Sequence, residues 1–369
     1  ARYDDEYVKQ NGQWKEVDWQ VALEHIANRL REIRSGHGSA AIGALASPHS
    51  TLEELHLMQK LVRGLGSENV DFRLRQSDFS ADGKRAGVPW LGMTIAEAAA
   101  LDRVLVVGSF LRKDHPLLAS RFRLAGKRAQ QLNIIHSADD ELLLAVANKA
   151  IVPPSELSGA LGQVVKAVAE KKGLAVPAAV AAFDIRDDAR RIAASLCSGK
   201  SAGIFLGNFA EQHPRAADLQ AAAQLLAELL GARFGFLGQA ANSVGGYLAN
   251  CLPGAGGLNA AAMLESPRKA YLLLGLEPEL DCADPVLAAK ALAAAEFVVS
   301  LSMYRGGAGA DADVLLPLAP FSETAGTFVN CEGRAQGFNP VVKALGEARP
   351  GWKILRVLGN LLGIDEIGQ

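Results

Sequence analysis

Four cysteines in 369 residues leave little covalent or metal chemistry to expect. They fall at 197, 251, 282 and 331 with no C-x-x-C, so they read as free thiols of a reducing compartment. An iron–sulfur cluster draws several thiolates from one tight loop, and no such spacing occurs here. Seven histidines are scattered without H-x-x-x-H or H-E-x-x-H, which offers no zinc site. Charge of one sign is also missing. Lys+Arg number 38 and Asp+Glu 40, and without a basic surplus no nucleic-acid groove is expected. No apolar run reaches the ~18 residues of a membrane helix, and the N-terminus has no signal-peptide core, so no direct membrane insertion is expected. The chain opens "ARYDDEYVKQNGQW", without an initiator Met, as a segment of a longer protein would.

What is present is material for large cores, at 49% hydrophobic residues, in a chain long enough for two lobes. Asp18 can cap a helix over "WQVALEHIANRLREIR", with Trp19, Leu23, Ile26, Leu30 and Ile33 on one face. Ser50 and Glu53 read as the capping box of a helix over "TLEELHLMQKLVRGLG". Strands are expected at 40–46, 103–109, 132–136, 202–208, 270–279, 296–302 and 312–317. Each is a continuous apolar run, the pattern of strands buried on both faces of a parallel sheet. Helical stretches alternate with them, which indicates an α/β fold with doubly wound, mostly parallel sheets. His25 and His56, on amphipathic helices, read as surface residues.

Two motif matches fail on context. "GKSAG" (199–203) precedes a strand instead of following one, so Ser201 is no nucleophile elbow; a phosphate loop would need glycine where Ala194 stands. "GAGGLNA" (254–260) follows Pro253 and no strand. Strands ending in Gly108, Gly207, Gly275 and Ser302 would instead open their loops on one edge, where such sheets bind ligands. The stretch after the last strand, "PLAPFSETAGTFVNCEGRAQG", is a crowded polar loop.

"GQWKEVDWQVALEHIANRL", "GSENVDFRLRQ" and "ADVLLPLAPFSETAGTFVNCEGRAQGFNPVVKALGEARPGWKIL" together resemble the molybdopterin oxidoreductase family. Within it they look most like the branch that belongs to bacterial NADH:quinone oxidoreductase, respiratory complex I. The resemblance implies two α/β lobes, one inserted in the other: 1–75 with 196–345 as the main lobe, 76–195 as the insert, and 346–369 as a linker helix. It implies that Ser77, Gly108, Asn208, Glu277, Ser302, Glu323, Thr327, Asn330 and Arg334 line a vestigial cofactor pocket. Ser77 stands nearest the position where relatives often ligate molybdenum.

Three departures from the catalytic pattern imply that the pocket is no longer used. "HSADDELL" replaces a D-P-R-x-T motif, and "GLEPELD" places Glu277, Glu279 and Asp281 where phosphates would lie. Like charges there repel by about 1 kcal/mol or more per close pair. Ser77 replaces the usual cysteine. The resemblance therefore implies a non-catalytic structural domain, with no catalytic residue, metal or cofactor in this segment. The 2Fe-2S and 4Fe-4S clusters would lie in an N-terminal part of the parent subunit, and the partners would be other subunits of the complex I peripheral arm. The place would be the cytoplasmic side of the bacterial inner membrane. The alternative is a fragment of a true molybdopterin enzyme of formate dehydrogenase or nitrate reductase type.

Overall fold

The computed structural model describes all residues except 1, 3, 86, 305–311, 365, 366, 368 and 369. The chain divides into two compact units, residues 1–76, 240–330 and 334–369 in the first and residues 77–239 and 331–333 in the second.

The chain begins with a hairpin, β1 (Glu6–Gln10) and β2 (Gln13–Val17), turned at Asn11-Gly12 with φ of 52° and 77°. Positive φ at both positions is what a two-residue turn between right-twisted strands requires. β3 (Ile42–Ala46) and β4 (Val70–Asp71) follow, then in the second unit β5 (Arg103–Val107), β6 (Gln131–His136), β7 (Asn148–Ile151), β8 (Ala202–Leu206) and β9 (Arg233–Phe236). The first unit resumes with β10 (Ala270–Leu274), β11 (Phe297–Ser302), β12 (Val314–Pro317) and a second hairpin, β13 (Gly326–Val329) with β14 (Ala335–Phe338).

The first unit's sheet has the order β2-β1-β12-β11-β10-β3-β4, parallel from β12 to β4. Alternate residues of one strand enter different cores, the period-2 consequence of the pleat. Leu272 and Leu274 pack with helices Trp19–His37, Leu52–Gly64 and Gly351–Leu362, whereas Tyr271 and Leu273 face Ala260–Glu265 and Pro285–Ala293. The second unit repeats the plan in the order β7-β6-β5-β8-β9, all parallel. Leu105 and Val107 face helices Leu157–Lys171, Asp187–Cys197 and Ala216–Leu230. Val104 and Val106 face Pro116–Gly126. Both sheets are therefore covered on both sides, as the unbroken apolar runs require.

Several expectations change. The return to the first unit comes at Ala240, not at 196, because Ala202–Leu206 pairs along its length with β5 and belongs to the second sheet. Within the stretch expected as a linker helix, 346–369, the described helix Gly351–Leu362 is part of the first unit's body. Ile354, Leu355 and Leu358 of helix Gly351–Leu362 are buried in the first unit's core. Asp18 caps its helix as expected, accepting from Val21 N. The second capping box shifts by one residue, to Thr51 and Glu54, because Ser50 is held in the preceding turn with its N–H on Ser47 O.

Candidate functional site

In open parallel sheets a crevice forms at the carboxyl edge where successive connections leave in opposite directions. Each unit has one such point.

In the first unit it lies between β3 and β10, at Ser47–Thr51 and Gly275–Glu277. The polar loop after β12 runs across it. Phe321, Thr324 and Phe328 join Ser47, His49, Ser50, Glu54 and Gly275 around a cavity of about 100 Å³. The loop is held by its own side chains. Thr327 donates its N–H and its hydroxyl to the Glu53 carboxylate at 3.0 and 2.7 Å. Asn242 accepts from Val329 N at 2.8 Å and donates to Ser50 O at 2.8 Å. Arg2 forks onto Glu323 at 2.6 and 2.8 Å, and Leu345 N donates to the same carboxylate. Hydrogen bonding from Arg2 holds Glu323 below the usual carboxylate range. Burial pushes the Glu54 carboxyl up against the opposing bonds from Thr51 and Gly351.

The expected pocket residues of this unit do not converge. Ser302 is buried and exchanges hydrogen bonds with the Tyr304 backbone. Asn330 accepts from Arg334 N across the second hairpin, and Arg334 is exposed. Glu277 takes the Asp281 carboxylate on its backbone N–H at 2.8 Å. Burial, then Glu279 and Asp281, raise the proton affinity of Glu277, so the acidic loop repels itself without a ligand present.

The second unit's crevice lies between β5 and β8, and it does gather three expected residues. Gly108, at φ +63°, accepts Phe209 N at 2.9 Å, and a Cβ there would strike the Ala210 backbone. Asn208 opens the short helix Asn208–Glu211, and the Ser77 hydroxyl donates to Gln212 O at 2.8 Å. Around them stand residues that the sequence pattern did not single out: Arg85, Ser109, His115, His136, Ser137 and Glu211. Each carries a buried side-chain nitrogen or oxygen with no partner among the described residues, as does Asn208 through Oδ1. His136 is ringed by Phe110 at 4.5 Å and Phe209 at 5.4 Å, and burial keeps both His115 and His136 below the ordinary histidine range. Burial pushes Glu211 up to about 8, against the nearby Arg85. The available signal was positional: a histidine closes the apolar strand "LNIIH", and His115-Pro116 opens a helix just beyond the β5 edge.

The family model described as molybdopterin oxidoreductase matches residues 2–361. The chain belongs to the molybdopterin oxidoreductase family. It is 26% identical over 370 residues to the G subunit of NADH-quinone oxidoreductase from Rickettsia felis, covering 99% of this chain and 48% of that one. It is also 26% identical over 410 residues to NADPH-Fe(3+) oxidoreductase subunit alpha of Geobacter sulfurreducens, covering 94% and 48%. The chain thus spans about half the length of the curated relatives it matches. Acetylene hydratase from Pelobacter acetylenicus shares the fold, with a TM-score of 0.77 at 16% identity over 100% of this chain and 62% of that one. The doubly wound α/β reading holds. Cys197, Cys251, Cys282 and Cys331 are free, and among the described residues no group of three or more His, Cys, Asp or Glu could hold a metal ion. Burial pushes the Cys282 thiol up to about 12. No described helix is long and apolar enough to cross a membrane.

Proposed function

We propose that the chain is a non-catalytic structural body of an electron-transfer subunit, of the kind that the G subunit of NADH-quinone oxidoreductase represents. The closed first crevice carries the reading. The loop that lines the pterin pocket in catalytic relatives here lies over the strand ends and leaves about 100 Å³. Ligand pockets run to roughly 300–1,000 Å³. The rim adds repulsion, since Glu279 and Asp281 already raise the cost of charging Glu277. A phosphorylated pterin does not fit this edge, and no reaction step is assigned to it. On this reading the partners are other subunits of the complex I peripheral arm, on the cytoplasmic side of the inner membrane. The iron–sulfur clusters serving NADH oxidation and quinone reduction would lie outside residues 1–369.

The test is elemental analysis and pterin fluorescence of purified protein. Molybdenum, tungsten, iron and pterin are each expected well below one per chain. A value near one molybdenum, or four irons, overturns the proposal. One observation favours the second reading, a cofactor-binding molybdopterin oxidoreductase: the unbonded buried atoms of Ser109, Ser137 and Asn208 at the second crevice are groups that a ligand could satisfy. The same assay separates the two.

A further inference from the structure

The first hairpin breaks its own pattern. Alternation along β1 puts Glu6 on the same face as Val8, and both are buried, at 3% and 2% exposure. A carboxylate at a core-facing position needs partners, yet Glu6 Oε1 has none among the described residues. Glu6 opens onto a recess of about 580 Å³ whose walls also carry Asp5, Glu16, Asp18 and Glu347. Against these five carboxylates the recess holds one cation, Arg349, whose guanidinium lies 4.5 Å over the Trp19 ring. Among the described residues none of the five makes an ion pair, with Arg349 or with any other cation.

The walls are fixed. Trp19 Nε1 donates to Glu347 O at 3.0 Å, Glu347 N to Asp4 O at 2.8 Å, and Asp18 caps the helix through Val21 N at 2.9 Å. These bonds fix the backbone that carries Asp18, Trp19 and Glu347 at the recess. The spacing of the carboxylates does not suit a metal ion, because no described set of three could hold one. The recess is also much larger than a single ion. It falls within the roughly 300–1,000 Å³ of small-molecule pockets.

We propose that this recess binds an organic cation, an alkylammonium or guanidinium group that seats against Glu6. The cation supplies the hydrogen bonds that Glu6 Oε1 lacks and offsets the repulsion among Asp5, Glu16, Asp18 and Glu347. The site is independent of the pterin crevice, so it stands whether or not the structural reading of the chain does. Burial raises Glu6 to about 7, against the opposing pull of its own backbone N–H and of Arg349, with Glu347 and Asp5 raising it further. A seated cation favours the charged carboxylate, so binding releases a proton near neutral pH and tightens as pH rises.

Spermidine titrated into the full chain by calorimetry is the test. One saturable site is expected, with affinity rising about tenfold from pH 6 to pH 8 as Glu6 ionises. Glu6→Gln should weaken binding at least tenfold and abolish the proton release seen in buffers of different ionisation enthalpy. Should Glu6→Gln fold poorly, Glu347→Gln, at an exposed position, should still weaken binding several-fold. A two-lysine peptide, Gly-Lys-Gly-Lys-Gly, run alongside identifies the source: tighter binding than spermidine points to a partner's side chains, weaker binding to a free polyamine. Binding unchanged in both variants, no binding of either probe, or displacement of spermidine by equal Mg²⁺ overturns the proposal.

Discussion

Glu211 shows how much one buried group can set at the residue scale. Its folded proton affinity is raised from 4.5 to about 8 by burial, so the folded chain holds this proton across neutral pH while the unfolded chain does not. The stability contributed is therefore full below about 4.5 and lost as pH climbs through 8. Glu211→Gln mimics the protonated form and should flatten the fall of Tm between pH 5 and pH 9; a variant whose Tm falls as steeply as the parent's sinks this assignment. Legibility at this scale was uneven. The stretch "GSENVDFRLRQ" was readable as a family signature, but not what it does. Ser67 bonds Ile42 O, Asn69 bonds Ala40 O and receives Leu258 N, and Asp71 pairs with Arg73 at 2.9 Å while receiving Ala260 N. The signature is a buried polar staple, and two of its partners, Leu258 and Ala260, lie 189 residues away, beyond any spacing rule.

Elements were legible where a single stripe or run decides them, as for helix Trp19–His37 and the apolar strands. They were not where two patterns compete. Ser50-x-x-Glu53 and Thr51-x-x-Glu54 both satisfy the capping box, and the preceding turn chooses between them. The first hairpin carries an Asn-Gly turn, but β2 is almost wholly exposed and shows no apolar alternation. Strand β9 is sealed by the segment 90–92: Phe236 N donates to Trp90 O at 2.8 Å, and Gly235 sits against the Leu91 carbonyl with no room for a Cβ. Gly235→Ala should therefore cost about 2–3 kcal/mol in urea unfolding. Gly337→Ala, whose Cβ would find its nearest neighbour at 4.0 Å, should stay within about 0.5 kcal/mol. Equal effects from the two would show that the close approach is not what constrains β9.

At the scale of the whole molecule, alternating strands and helices made the α/β class readable, and the discontinuity followed from family resemblance. Sheet membership did not. Ala202–Leu206 and Ala270–Leu274 are equally apolar runs, and only their neighbours assign the first to β5 and the second to β3. Residues 77–239 carry their own five-stranded sheet with a core on each face, so this fragment should melt cooperatively when expressed alone. The fragment lacks Cys331 O and the Glu332 carboxylate, which receive Leu91 N at 2.7 Å and Ile95 N at 2.8 Å. Hydrogen exchange at those two amides should accelerate in the fragment while β5 and β8 amides stay protected; loss of protection throughout would deny it independence. The pairing of β3 with β10 has a further consequence, in time. A ribosome working at about 5–20 residues per second releases β3 well before β10, leaving that strand edge bare for roughly 10–45 seconds. During that interval the insert can complete its own sheet, which brings the two ends of the waiting sheet together and shortens the effective loop that β10 must close.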